Sequence, residues 1–153
     1  NPDPLADKCL HEFTYSLYPH KNDWYDGGVV KAGYNLNVPI VADIKTNTNE
    51  NAKPDIRSNI NTSLELEKSF VAVSEDNVIL DCIKCAENGN GLIVRLYESS
   101  GIRCTVTLAL GFDIKSSTET NLMEDDENEA SVENNSFSFA INPFEIKTFR
   151  IKI

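Results

Sequence analysis

The side chains of this chain that could act on a substrate are few, and most crowd near its start. His11 and His20 are its two histidines, with Cys9, Glu12, Asp23 and Asp26 close by in sequence. A pair of carboxyl groups can divide the work at a glycosidic bond, one as acid and the other as nucleophile or base. Proximity in sequence does not set Glu12, Asp23 or Asp26 across a sugar ring, however, and acids beside a strand end or helix start commonly act as caps. Two histidines alone hold no metal, and no GxSxG nucleophile motif accompanies them. Cys82-Ile83-Lys84-Cys85 has the CxxC spacing of metal and redox motifs. If residues 78–86 form a strand, side chains three apart face opposite sides and cannot grip one ion. No second CxxC or HxxxH supplies the missing ligands, so Cys9, Cys82, Cys85 and Cys104 read as free thiols of a reducing compartment. The run Glu124-Asp125-Asp126-Glu127, with Glu129, lacks the glycine and ligand order of a calcium loop and is expected at a solvated hairpin tip. Catalysis and metal binding are thus assigned to no residue of this chain.

What remains is an aromatic stretch. In HEFTYSLYPH, residues 11–20, a period of two puts His11, Phe13, Tyr15 and Leu17 on one face and Glu12, Thr14, Ser16 and Tyr18 on the other. That pattern predicts a β-strand with an aromatic, core-facing side. Pro19 cannot donate to a ladder and should end it. Residues 24–37, WYDGGVVKAGYNLN, shift to helical spacing at Val29, Val30, Gly33, Tyr34 and Asn37. Asn22 or Asp23 can cap the start, and Asn37 with Pro39 gives a stop, which predicts one short helix. Its glycines cost about 1 kcal/mol each where truly interior. Tyr15, Tyr18, Trp24 and Tyr25 can stack on sugars or serve as core and interface area, and the second use is expected because aromatics mostly supply buried surface. His11, Phe13, Tyr15, His20, Trp24 and Tyr25 are therefore the candidate domain-interface or sugar-contact residues.

The rest of the chain reads as sheet. Residues 40–45 are a short strand candidate, and residues 46–68 a long polar loop. From there, residues 70–73, 78–85, 92–97, 103–111, 117–122, 137–141 and 145–151 are short, β-branched or aromatic, and bounded by turn residues. Asn88-Gly89-Asn90-Gly91 is the strongest hairpin signal, and Ser99-Ser100-Gly101 is the next turn. Val106, Leu108 and Leu110 alternate with smaller residues. The expected fold class is mainly all-β: an antiparallel β-sandwich, supersandwich-like, with one short helix near the N-terminus, in a single domain over residues 1–153.

Composition sets further bounds. Fourteen basic against 24 acidic residues give a net charge of -10. Such a field repels phosphate backbones, so nucleic acid is not an expected partner. No run approaches the roughly 20 apolar residues of a membrane span, and the start, NPDPLADKCL, has neither the basic nor the apolar region of a signal peptide. A cytoplasmic location is expected. Met123 is the one methionine and the chain starts at Asn1, which suggests a fragment of a larger protein. Asn61-Thr62-Ser63 and Asn134-Asn135-Ser136 match the glycosylation pattern and are read as chance in an Asn-rich sequence.

In NPDPLADKCLHEFTYSLYPH, WYDGGVVKAGYNLNVPI, SFVAVSEDNVILDCIKCAENGNGLIVRLYESSG, TNLMED and NPFEIKTFRI, taken in order, the chain resembles the C-terminal β-domain of glycoside hydrolase family 38 α-mannosidases, in the form found in bacteria. HEFTYSLYPH and PFEIKTFRI are the specific parts, and residues 46–68 are where the chain departs. The resemblance implies a retaining enzyme that removes α-linked mannose. It would use a carboxylate nucleophile, a carboxyl acid/base and a zinc ion held by His and Asp side chains, all in an N-terminal catalytic domain. No position here matches the motifs that carry those residues. The implied cofactor is none in this stretch and zinc in the missing catalytic domain. The implied partners are that catalytic domain of the same chain and, through the whole enzyme, a mannose-containing glycan. A self-sufficient carbohydrate-binding module and a structural or homo-oligomerisation domain are the competing readings.

Overall fold

A computed structural model describes residues 6, 8–42 and 68–153. The chain divides into two compact units, Asn1–Asn47 and Thr48–Ile153. Among the described residues no helix is long and apolar enough to cross a membrane.

In the first unit the expected strand over residues 11–18 does not form, which corrects the sequence reading. A strand needs a neighbour for its backbone N–H and C=O groups, and every strand among the described residues lies between 71 and 152. Alternation therefore buries nothing here: Phe13 is 82% exposed and Tyr15 85%. Tyr15, Tyr18, Trp24 and Tyr25, expected as core and interface area, are all exposed, which corrects the core half of that reading.

The helix α1 spans Val29–Asn37, five residues shorter at its start than the pattern suggested. Asp23 is a cap, but of the turn before the helix: its Oδ1 accepts from the backbone N–H of Tyr25 at 3.0 Å and of Asp26 at 2.9 Å. Gly28 then takes φ +66, a left-handed geometry that glycine adopts freely, and separates turn from helix. The stop is as expected: Asn37 Nδ2 donates to the Gly33 carbonyl at 2.8 Å, and the Val38 N–H closes on the Tyr34 carbonyl at 2.8 Å. Ile40 and Val41 are exposed and in no strand. The remainder of that strand candidate, residues 43–45, and nearly all of the long polar loop, with Asn61, lie outside the described residues.

The second unit is a two-sheet antiparallel sandwich. One sheet has the order β1-β4-β7, from Val71–Val73, Cys104–Leu110 and Ser136–Ile141. The other has the order β2-β3-β8-β5-β6, from Val78–Cys85, Leu92–Glu98, Ile146–Lys152, Ser116–Thr120 and Asp126–Ala130. The hairpin at residues 88–91 joins β2 to β3, with Cys85 opposite Leu92. Gly91 sits at φ +99, where an added Cβ would meet the Ile151 carbonyl oxygen at 2.3 Å. The turn at residues 99–101 carries the chain from one sheet to the other. Val94, Leu96, Phe149 and Ile151 of the larger sheet close on Val106, Leu108, Leu110, Phe137 and Ile141 of the smaller. Phe149 lies 4.9 Å from the Phe137 ring centre and 4.6 Å from that of Phe139. The alternation read at Val106, Leu108 and Leu110 is this core face.

The acidic run is more than a hairpin tip. Asp126, Glu127 and Glu129 belong to the edge strand β6, invisible in sequence because DENEA has no apolar side. Its charges suit an outer edge, since they discourage a further strand from adding there.

Candidate functional site

The candidate residues fall into two groups. Tyr18, His20, Trp24 and Tyr25 come together on the capped turn. The Tyr18 hydroxyl donates to the Gly27 carbonyl at 3.2 Å, and the Tyr18 and His20 rings stack at 6.0 Å. His20 packs so closely on Gly27 that an added Cβ would lie 2.4 Å from its Nδ1. This corner holds up the turn, which presents Trp24 (46% exposed) and Tyr25 (47%) with their rings at 79° to each other. His11, Phe13 and Tyr15 stay on the extended stretch. Phe13 and Tyr15 are 6.3 Å apart, and His11 Nε2 lies 3.6 Å from Cys9 Sγ. Beyond the turn, Val29, Val30, Gly33, Tyr34, Asn37 and Val38 line an open, mainly apolar groove of about 270 Å³.

The chemistry weighed for the carboxylates is not assembled. Asp23 spends its oxygen on the turn, and Glu12 and Asp26 are exposed. Among the described residues no three His, Cys, Asp or Glu side chains gather as a metal site would require, so the zinc implied by the resemblance has no fitting ligand set here. Cys82 is half-buried and Cys85 exposed, and all four cysteines are free.

The sandwich has polar features that sequence reasoning missed. Glu98 is 1% exposed. Its carboxylate accepts from Asn77 Nδ2 at 2.8 Å and from the backbone N–H groups of Ser100 at 2.8 Å, Gly101 at 2.7 Å and Phe144 at 2.9 Å. Burial works to raise its pKa, but the N–H of Phe144, the Asn77 amide and the N–H groups of Ser100 and Gly101 prevail, and it falls to about 2. A carboxylate held this way is a staple for three loops. The short spacing Glu98-Ser99-Ser100-Gly101 was the local signal, whereas Asn77 and Phe144 come from far along the chain.

A second cluster ties the 121–125 loop to the larger sheet. Arg150, 5% exposed, donates to Asp126 and to the Glu124 carbonyl, the latter at 2.6 Å. Glu124 pairs with Lys84 at 2.7 Å, and that ammonium lowers its pKa. A groove of about 520 Å³ opens beside this loop, where Lys147 bridges Glu119 and Glu145 among Leu122, Met123 and Ile146. Burial works to lower the Lys147 pKa, but the Glu119 and Glu145 carboxylates together outweigh it and the value rises. Every charged group in these clusters is engaged by a neighbour, which suits holding loops rather than attacking a bond.

A family model described as the glycosyl hydrolases family 38 C-terminal beta sandwich domain matches residues 77–149. Likeness to known proteins extends past these residues into the aromatic unit. α-Mannosidase G of Dictyostelium discoideum is 34% identical over 98% of this chain and 13% of its own length. α-Mannosidase 2C1 is 32% identical in Mus musculus, over 96% of this chain, and 31% identical in Homo sapiens, over 95%. The chain spans 13% of the length of each of these eukaryotic relatives.

Proposed function

We propose that this chain is the non-catalytic C-terminal part of a retaining, zinc-dependent α-mannosidase, and that it holds the catalytic part of the same polypeptide in place. The observation that carries this reading is the likeness to proteins named α-mannosidases over 95–98% of the chain but only 13% of their length. The local geometry supports it: Asp23 is occupied as a cap, and Glu98, Glu119 and Glu124 are occupied in loop-holding contacts. The nucleophile, the acid/base and the His and Asp ligands of zinc then belong to the rest of the protein. A mannose-containing glycan is the substrate and the cytoplasm the location. A bacterial source is the reading of the resemblance alone. The test is hydrolysis of a chromogenic α-mannoside by the full-length protein. Activity that a chelator removes and zinc restores is expected, and a full-length protein inert on α-mannosides contradicts the reading.

A carbohydrate-binding module is the second reading, favoured by the exposure of Trp24 and Tyr25. Stacking on a sugar face calls for a flat ring surface, and the 79° angle between these rings offers no shared one. The charge of -10 opposes the homo-oligomer reading, because like-charged copies repel.

A further inference from the structure

We propose that residues 10–41 are a docking strap for the catalytic part of the same polypeptide, anchored by the aromatic turn at Trp24 and Tyr25. The proposal rests on the α-mannosidase reading and adds to it the surface that makes the contact. Along this stretch Leu10, Phe13, Tyr15, Leu17, Tyr18 and Trp24 are exposed, as are five further large apolar side chains. None of residues 8–42 is buried. So many large apolar side chains left exposed along one stretch mark a surface that another protein surface covers.

Charge points the same way. Residues 8–42 carry three lysines and three carboxylates, so the stretch is neutral within a chain of net charge -10. Charge-poor surfaces rich in Tyr, Trp and Phe are typical of interface cores. The turn is built in advance by Asp23, by Tyr18 on the Gly27 carbonyl and by His20 against Gly27, so Trp24 and Tyr25 are presented with little ordering left to lose on contact. The occupant follows from length: the stretch lies within the likeness to chains of which it and the sandwich make up only 13%. A second copy is disfavoured by the shared net charge.

The experiment is amine cross-linking and hydrogen exchange on the full-length protein, read by mass spectrometry. Cross-links from Lys8, Lys21 or Lys31 to lysines outside these 153 residues are expected, together with exchange across residues 10–41 slowed by about tenfold or more relative to an unprotected chain. Trp24→Ala with Tyr25→Ala should return that stretch toward the unprotected rate and leave residues 77–149 unchanged. Cross-links only within the 153 residues, or only between isotopically distinct copies, overturn the proposal. So does unprotected exchange in the unsubstituted protein, which needs no variant to fold. A protein that hydrolyses α-mannosides yet leaves residues 10–41 unprotected loses the strap and keeps the function. Cross-links to the outer chain in a protein without mannosidase activity keep the strap and lose the function.

Discussion

The aromatic stretch, residues 8–42, and the sandwich, residues 68–153, are both rich in large apolar side chains, yet they use them in opposite ways. The sandwich buries twelve hydrophobic residues, Phe149, Leu96 and Ile93 among them. The stretch buries none and leaves its aromatic side chains in solvent. Hydrophobicity does not separate the two; backbone pairing does. Each sandwich strand has a neighbour in register, and the apolar alternation of its strands closes a core, whereas residues 11–18 have no strand neighbour among the described residues. The sandwich closes a core of its own, and the stretch does not.

Substitutions can break that contrast. The largest effect is expected at Phe149→Ala, which empties a site shared with Phe137 and Phe139 and should cost about 3–5 kcal/mol in denaturant unfolding. Next comes Glu98→Ala, which leaves four inward-pointing donors without their acceptor and should cost about 2–4 kcal/mol. The same group gives the sandwich a pH dependence. Its folded pKa of about 2 lies below the ordinary value of 4.5, so its contribution is complete above 4.5 and is lost as pH falls through the interval toward 2. The loss amounts to roughly 3 kcal/mol at most, seen as a falling unfolding midpoint, and Glu98→Gln should flatten that slope. Gly91→Ala forces a Cβ toward the Ile151 carbonyl at a left-handed φ and should cost about 1–2 kcal/mol. Tyr15→Ala, at an 85% exposed site, should change stability of residues 1–153 by less than about 0.5 kcal/mol. A loss at Tyr15 equal to that at Phe149 would erase the distinction between the regions.

The same physics explains what could be read in advance. Seven of the eight strands among the described residues were legible because β-branched and aromatic runs end at turn residues, as at residues 88–91 between β2 and β3. β6 was not, because an all-polar edge strand has no burial pattern to print. Residues 11–18 misled for the converse reason: alternation records that a face is meant for burial without naming what buries it. The strand under the CxxC motif was legible, and it leaves Cys82 half-buried and Cys85 exposed. Glu98, Arg150 and Glu124 were not legible, since their partners are brought together only by the fold. The arrangement of the aromatic candidates was not legible either: the turn at residues 24–28 gathers Tyr18, His20, Trp24 and Tyr25 and leaves His11, Phe13 and Tyr15 apart.

The most direct test of the account compares hydrolysis of a chromogenic α-mannoside by the full-length protein and by residues 1–153 alone, each with zinc and with chelator. Zinc-dependent activity in the whole and none in the isolated residues is the expected result. Activity in residues 1–153 by themselves would contradict it and make Glu12, Asp23 and Asp26 the first residues to substitute.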